Sequence, residues 1–406
     1  MSRIQLERNI TLLMMFGFFQ MFMIIIPVIV PLFQSKGLDL AQIFYLQAIF
    51  ATVVVCFEIP SGYFADQLGR RRAVIWGGFM TGVGYTVLVF ADGFMGLVLF
   101  ECSVGIGLSL TSGADIALLY DSQRELDAQP EEQRNSIANF RMSKAGAETV
   151  ASLIGGVVVL YSFDMLVLVQ ALISWMPFLV ALCLVEPHYH RLDEGGHLEN
   201  AKRVLRHIFV DDSFLRLLFI TSTAYGLSTF YVVWLMQPWW EAQGIPLAYF
   251  GVLWAGLNLV VGVAGKVSIK VEERLGMPIT LTIMAALPAI GYFSMAFMSG
   301  WIVILLSAGF YISRAINQVV VTDAFNARIP SEFRATANSL TGFAFRLVFI
   351  LTGPLVGYLT SRQGLSTTLV VLGFATLALY ALLMYPLIKR IPSQLTAPMS
   401  RSEEQS

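Results

Sequence analysis

Charged residues are scarce in this sequence. They make up 13% of its 406 residues, whereas a soluble domain carries about a quarter. Hydrophobic residues make up 56%, and the mean hydropathy is +0.70. This composition excludes an ordinary soluble protein and predicts a polytopic membrane protein. The formal net charge of -1 and the lack of a basic tail exclude nucleic acid as a partner.

Cysteine and histidine are also rare. The cysteines lie singly in separate apolar runs without CxxC spacing, so we expect each to be a small buried residue. They are Cys56, Cys102 and Cys183. All the histidines lie in one central polar segment, which excludes them from a proton pathway inside the membrane. For that segment, a linker with an amphipathic helix is favoured over a metal site formed by His188, His190 and His197. We expect no metal and no cofactor.

Motifs of intramembrane enzymes and of nucleotide-driven pumps are missing. The sequence has no HExxH, no GxSxG and no Walker A pattern. An enzyme is therefore not expected, and ATP-driven transport has no support.

Long apolar runs dominate the chain. A membrane-spanning helix needs about 20 apolar residues, and twelve runs meet this need. Their predicted limits are 10–33, 41–64, 73–91, 94–120, 138–161, 165–185, 213–236, 247–269, 277–298, 301–327, 334–360 and 365–388. The first run continues without a cleavage site, which favours a retained helix over a signal peptide. We expect an N-terminal bundle over 1–185, a linker over 186–212, a C-terminal bundle over 213–390 and a tail over 391–406.

The basic residues predict the orientation. Lys and Arg concentrate in alternate loops, and the two that fall on the other side are Lys36 and Arg362. Because basic residues favour the cytoplasmic side, both termini are expected in the cytoplasm. The expected location is the cell membrane of a bacterium, that is, its inner membrane.

The two halves contain similar segments. "SGADIALLYD" ends the fourth predicted helix and "RAINQVVVTD" ends the tenth, so Asp115 and Asp121 match Asn317 and Asp323 at the same spacing. Repeated halves are common in transporters, which place the substrate site between them near the middle of the membrane.

A dense polar motif follows the second predicted helix. Within "SGYFADQLGRRR", the pattern G-x-x-x-D-x-x-G-R-R is formed by Gly62, Asp66, Gly69, Arg70 and Arg71. In this position it resembles the loop motif of the major facilitator superfamily, whose members fold as two six-helix bundles and carry solutes by secondary transport.

The resemblance implies a gate at this motif. Asp66 ends a helix, where the helix dipole disfavours a negative charge, and in the family this aspartate faces the start of the eleventh helix, here near Ser331 and Arg334. The alternative is that the arginines only anchor the topology, which we favour for Arg72.

Two further motifs of the efflux branch are altered. Drug and proton antiporters often carry an arginine in the fourth helix, where this chain has Glu101 before Gly105. The antiporter motif of the fifth helix has lost its proline. The residues that stand in its place are Ala147, Ala151, Ser152, Gly155 and Gly156. These departures count against drug and proton antiport without excluding it.

Acidic residues inside the N-terminal half need a reason, because burying a charge in a membrane costs about 2.5–3.5 kcal/mol. The candidates for proton coupling are Glu58, Glu101, Asp115 and Glu148. Arg141 and Lys144 lie at a similar depth. A salt-bridge network that joins the second, fourth and fifth helices is the structural alternative, and both readings stay open.

The C-terminal half carries arginines near the middle of the membrane. Within that half, Arg314 and Arg346 have no obvious acidic residue at their depth, so we expect either that at least one of them binds an anion or that they pair structurally with a carbonyl or a helix. The candidates for a substrate cavity are Gln20, Tyr225, Trp234, Asn258, Arg314, Asn317 and Arg346. Trp239 and Trp240 are expected in an interfacial belt.

Together these patterns favour a proton-coupled exporter of a small zwitterionic or anionic compound, such as a metal-chelating metabolite, a peptide-like compound or an amphiphilic drug. An uptake permease for an organic anion is the alternative, and a non-transporting sensor or scaffold with the same fold is a hypothesis of another class. The expected partners are the solute, protons and the lipid bilayer. A monomer is expected.

Overall fold

The structure is a computed structural model that describes residues 3–188, 197–330 and 333–391. Within these ranges, side chains are described except for Ile59, Asp66, Ala335 and residues 197–201. His190, Ser331 and most of the predicted tail lie outside the described residues.

The described residues form helices and no strands. The uninterrupted helices are α2 (Leu40–Leu68), α3 (Arg70–Phe90), α5 (Pro130–Val158), α7 (Ser213–Ala242), α8 (Leu247–Leu275), α9 (Met277–Phe297) and α11 (Arg334–Gln363). Five helices have an interruption: α1 (Arg3–Gln20, continued by Ile26–Ser35), α4 (Gly93–Thr111 and Ala114–Glu125), α6 (Phe163–Ile173 and Met176–Leu182), α10 (Trp301–Ala327) and α12 (Leu365–Lys389). A short linker helix, His197–Arg206, lies between α6 and α7.

The predicted all-α, twelve-helix fold is confirmed. Among the described residues, ten helices are long and apolar enough to cross a membrane. The other two are α1, which is interrupted after Gln20, and α5, which carries six charged residues in its 29 positions. Those residues are Glu131, Glu132, Arg134, Arg141, Lys144 and Glu148.

Three predicted helices are broken, and two contain a wider turn. The break in α4 falls at Ser112 and Gly113, where Gly113 has a φ of +85° that a glycine adopts readily. In α10 the segment Asn317–Val321 is π-helical, and in α12 the segment Tyr380–Met384 is too. Such π-turns are frequent at functional sites.

The chain forms two compact units. Unit 1 comprises Met1–Asp193, Gly244–Ala255 and Ile350–Gly357, and unit 2 comprises Glu194–Gln243, Gly256–Phe349 and Tyr358–Ser406. In unit 1 the apolar core gathers around Leu13, Phe16, Leu118 and Phe140. In unit 2 it extends from Val204 of the linker helix to Leu387 of α12. The predicted limits of the two bundles and the linker stay predictions.

Two expectations about burial are wrong. Cys56 and Cys183 are exposed, because the outer face of a membrane protein is itself apolar and holds such residues without burial. Trp239 and Trp240 are buried rather than interfacial. The Trp239 indole Nε1 donates to the backbone O of Met295 at 2.8 Å, so α7 packs this tryptophan against α9.

Candidate functional site

The loop between α2 and α3 requires a glycine at its centre. Gly69 has a φ of +104°, which other residues avoid. A Cβ atom on Gly69 would lie 2.8 Å from Oε2 of Glu186. Both the backbone angle and the close carboxylate therefore select glycine. A Cβ on Gly62 would meet no described atom within 4 Å.

The two motif arginines bind different parts of unit 1. Arg70 forms an ion pair with the buried Asp121 of α4 and donates to the backbone O of Ala117 at 3.0 Å. Arg71 donates from Nε to the O of Leu184 at 2.5 Å and from Nη2 to that of Leu182 at 3.0 Å. These contacts fix the start of α3 against the ends of α4 and α6. The side chain of Asp66 lies outside the described residues, so the gate stays a prediction.

Glu186 completes this cluster, and we did not predict it. Its Oε1 accepts from the backbone N–H of Arg70 at 2.9 Å and its Oε2 from that of Arg71 at 2.8 Å. A carboxylate at the N-terminus of a helix satisfies free N–H groups and complements the helix dipole. Burial raises the pKa of Glu186, and the two backbone hydrogen bonds offset this only in part. In the sequence, the Glu-Pro pair just after α6 was the only local feature that could have indicated this role of Glu186.

Among the described residues, one ion pair joins members of the predicted charge network. Lys144 Nζ of α5 lies 2.7 Å from Oδ2 of Asp115, whose side chain is 4% exposed. Asp115 stands in the first turn after the break in α4, where the helix N-terminus favours a negative charge. Arg141 has no ion pair within the described ranges, and Glu148 accepts from the indole of Trp254 at 3.4 Å.

Glu101 lies apart from that pair. It is 5% exposed, and its Oε1 accepts from the amide of Gln47 at 2.7 Å. Gln20 donates to the hydroxyl of Thr111, the last residue before the break in α4, at 2.8 Å. Glu58 is half-buried on α2. The four acidic candidates therefore do not form one cluster through the contacts described.

The small residues of α5 allow close helix packing. Ala147, Ala151 and Ser152 are fully buried. A Cβ on Gly155 would lie 2.0 Å from the backbone O of Ile24, and one on Gly156 would lie 2.9 Å from that of Ala248. The altered antiporter motif thus keeps a packing role without its proline.

Unit 2 contains a cavity of about 330 Å³ whose wall has both polar and apolar parts. It is bordered by α7, α10 and α11. Its lining residues are Ser222, Thr223, Gly226, Thr229, Phe230, Arg314, Asn317, Gln318, Thr322, Thr341, Gly342 and Phe345. This lining contains hydroxyl groups, amides and one guanidinium, and it contains no carboxylate.

Arg314 and Asn317 are both held in place. Arg314 Nη2 donates to the backbone O of Thr229 at 2.5 Å, so a carbonyl pairs with part of this arginine while the residue also lines the cavity. The amide of Asn317 accepts from the Ser222 hydroxyl and donates to the Ser222 carbonyl, both at 3.0 Å. Arg346 extends Nη1 to within 3.5 Å of the Cβ position of Gly342 on the wall.

Aromatic rings continue one wall of the cavity. The ring of Phe230 meets those of Phe345 and Phe349 edge to face, with centroids 5.3 and 5.1 Å apart. Trp234 stands beyond Phe230, at 6.5 Å. The cavity therefore presents a cation and an aromatic surface within one space.

The predicted cavity residues separate into two groups. Arg314 and Asn317 line the cavity, and Arg346 reaches its wall. The others do not line it: Gln20, Tyr225, Trp234 and Asn258. Tyr225 is 1% exposed and packs in the core of unit 2. We did not predict that α7 lines the cavity. The sequence did indicate it, because Ser222, Gly226 and Thr229 are spaced to lie on one face of the helix.

The described residues contain no group of three or more His, Cys, Asp or Glu side chains placed to hold a metal ion.

Comparisons with known proteins give a consistent result. The sequence profile described as "Major Facilitator Superfamily" matches residues 11–353. An uncharacterised MFS-type transporter of Bacillus subtilis (strain 168), YxaM, is 23% identical over 393 residues, which cover 90% of this chain and 92% of that protein.

Solved structures show the same fold. The nucleoside transporter NupG superposes with a TM-score of 0.76 at 13% identity, covering 95% of this chain and 100% of the other. A POT family transporter in complex with 5-aminolevulinic acid has a TM-score of 0.72 at 13% identity, covering 94% and 97%.

Proposed function

The chain belongs to the major facilitator superfamily and is a membrane transporter of that type, and we propose that it exports a small zwitterionic or anionic organic compound in exchange for protons. Alternating access, the mechanism implied by the family, would carry the solute. We place the protein as a monomer in the bacterial cell membrane with both termini in the cytoplasm. Export rests on the resemblance to the efflux branch.

The cavity of unit 2 supports the proposed class of substrate. Its lining has the guanidinium of Arg314 and no carboxylate, so it favours a solute with an acidic group. Thr229 holds this guanidinium through its backbone O at 2.5 Å, so the charge is fixed at the cavity wall. Asn317 and the hydroxyl groups suit polar substituents, and the rings of Phe230 and Phe345 suit an apolar part.

Proton coupling is proposed at two carboxylates of unit 1. Glu101 is buried and accepts from a neutral amide, so its charged form lacks the compensation that a buried ion needs. Asp115 has such compensation from Lys144. Protonation of Asp115 would release Lys144, so the transport cycle would alternate between a neutral ion pair and a protonated state in which Lys144 carries an uncompensated positive charge.

The two neighbours with solved structures bear on the choice of solutes to test. One carries the name of a nucleoside transporter, and the other holds 5-aminolevulinic acid, which is a zwitterion. For the present chain, the guanidinium in the cavity favours the zwitterion over the uncharged nucleoside.

Counterflow in proteoliposomes tests this proposal. A panel of 5-aminolevulinic acid, a dipeptide, an aromatic carboxylate and a nucleoside would be compared with and without an imposed pH gradient. We expect exchange of a charged member, acceleration by the gradient, and loss of at least tenfold in affinity for Arg314→Gln, because a charge-assisted contact is removed. Arg362→Gln, an exposed arginine outside the cavity lining, is the matched control.

Indifference to the pH gradient would remove proton coupling. Equal affinity in Arg314→Gln and the wild type would remove the anion site while leaving the transporter assignment intact.

A further inference from the structure

A second cavity lies at the charged end of α5, in unit 1. It has a volume of about 400 Å³ and lies between the last turns of α4 and the first three turns of α5. Its wall includes Tyr120, Gln133, Arg134, Ile137, Ala138 and Arg141. These residues share none with the substrate cavity in unit 2.

Two arginines stand on one face of α5 in this cavity. Arg134 and Arg141 are seven residues apart, which places them two helical turns and about 10 Å apart along the axis. Both are exposed. Among the described residues, neither has a hydrogen bond or an ion pair, although each guanidinium has five N–H groups that can donate.

The carboxylates nearby are engaged elsewhere or do not line the cavity. Glu132 turns back to accept from the backbone N–H of Gln129 at 3.1 Å. On α4, Asp121 pairs with Arg70 and Asp115 with Lys144. Glu131 is exposed and does not line the cavity. The cavity therefore presents two cations to whatever enters it.

The depth of the two arginines matches a membrane surface. A span of about 20 residues counted back from the end of α5 at Val158 reaches the boundary near residue 138. Arg134 then lies just outside the hydrocarbon region and Arg141 about one turn inside it. Tyr120 is partly exposed at the same level, as is common for tyrosine at an interface.

We propose that this cavity binds the phosphate headgroup of an anionic phospholipid. A phosphate at the boundary would receive N–H groups from Arg134 above and Arg141 below, and guanidinium groups pair with phosphate in a bidentate way. Basic cavities between membrane helices bind anionic headgroups in this manner. Ile137 and Ala138 form the apolar part of the wall, beside which an acyl chain fits.

Native mass spectrometry of the full-length protein in detergent tests the proposal. Phosphatidylglycerol and phosphatidylcholine with identical acyl chains would be titrated separately onto the wild type, Arg134→Gln/Arg141→Gln, and Arg72→Gln. Arg72 is an exposed arginine at the start of α3, outside this cavity, and is the matched control. The double variant should lose about tenfold to thirtyfold in affinity for phosphatidylglycerol, and the control should equal the wild type.

Three outcomes would overturn the lipid site. The first is equal affinity for the two lipids in the wild type. The second is unchanged binding in the double variant, provided that its melting temperature in lipid-free detergent matches the wild type. If the double variant melts early, Arg134→Gln alone replaces it, and the same loss of binding is required. The third is displacement of phosphatidylglycerol by millimolar inorganic phosphate, which would identify a site for soluble anions.

Discussion

The carboxylate of Glu186 accepts a hydrogen bond of 2.8 Å from the backbone N–H of Arg71. The side chain of Arg71 in turn donates to the carbonyl of Leu184, two residues before Glu186. The chain that leaves α6 and the loop motif before α3 are thus tied together in both directions. Any movement of the start of α3 must break these bonds or carry the end of α6 with it.

Removing the carboxylate should therefore destabilise unit 1. Glu186→Ala leaves the N–H groups of Arg70 and Arg71 without their acceptor, and the loss of a helix N-terminal cap costs about 0.5–2 kcal/mol. Glu186→Gln keeps one acceptor oxygen and should cost less. Melting curves of the purified proteins in detergent should rank the melting temperatures as wild type, then Glu186→Gln, then Glu186→Ala. Glu131→Ala, at an exposed position, is the control. Equal melting temperatures for all variants would mean that water replaces the cap without cost.

The two glycines of the motif should respond differently to the same substitution. Gly69→Ala places a methyl group 2.8 Å from Glu186 Oε2 and forces a φ of +104° on an alanine, and such strain costs about 1–3 kcal/mol. Gly62→Ala meets no described atom within 4 Å and adds a helix-favouring residue to α2. The first variant should melt earlier than the wild type and the second should not. If Gly62→Ala retains stability but loses transport, its glycine serves motion rather than packing.

Local sequence patterns predicted the positions of the helices. They did not predict the contacts between residues that are distant in the chain. The apolar runs gave the position of nearly every helix because a membrane imposes the length. They placed the start of α5 at 138, yet the helix begins at Pro130, where the side chain of Glu132 caps it. The charges in these extra turns hide the helix from a hydropathy window.

The residues of the candidate site show the same difference between local patterns, which could be read from the sequence, and distant contacts, which could not. Arg314 and Asn317 share a helix face, so their spacing predicted their common cavity. Glu186 binds residues 116 and 115 positions away in the chain, and no periodic pattern records such a pairing. Trp239 was wrongly expected at the interface because the same composition suits a lipid boundary and a buried helix contact.

Asp212 should give the stability of unit 2 a dependence on pH. Burial alone would raise its pKa, but the N–H groups of Leu215 and Phe214 and the guanidinium of Arg328 outweigh burial and hold the pKa of Asp212 below its usual range. Its stabilisation is therefore complete above about pH 4, the ordinary value for aspartate. It is lost as the pH falls through the lower value of the folded state.

Asp212→Asn isolates the charge. Asparagine still caps α7, so the variant loses mainly the ion pair with Arg328. Wild type should melt above the variant at pH 7, and the gap should narrow as the pH approaches 3. Asp211→Asn, at an exposed position next in the chain, should show no comparable narrowing. A gap that stays constant down to pH 3 would contradict the role of this carboxylate.

The close approach of α5 to the turn that interrupts α1 can be tested with one methyl group. Gly155→Ala would place Cβ 2.0 Å from the carbonyl oxygen of Ile24, a separation that requires the two backbones to move apart. Overpacking of this kind costs about 1–3 kcal/mol. Gly146→Ala lies nine residues earlier on the same helix and meets no described atom within 4 Å, so it should hold or slightly raise the melting temperature. Thermal melting of both variants in the same detergent gives the comparison, because the substitution and the helix are identical. Equal melting temperatures would show that α5 shifts freely against Ile24, and the small residues of the altered motif would then be needed for movement rather than for packing.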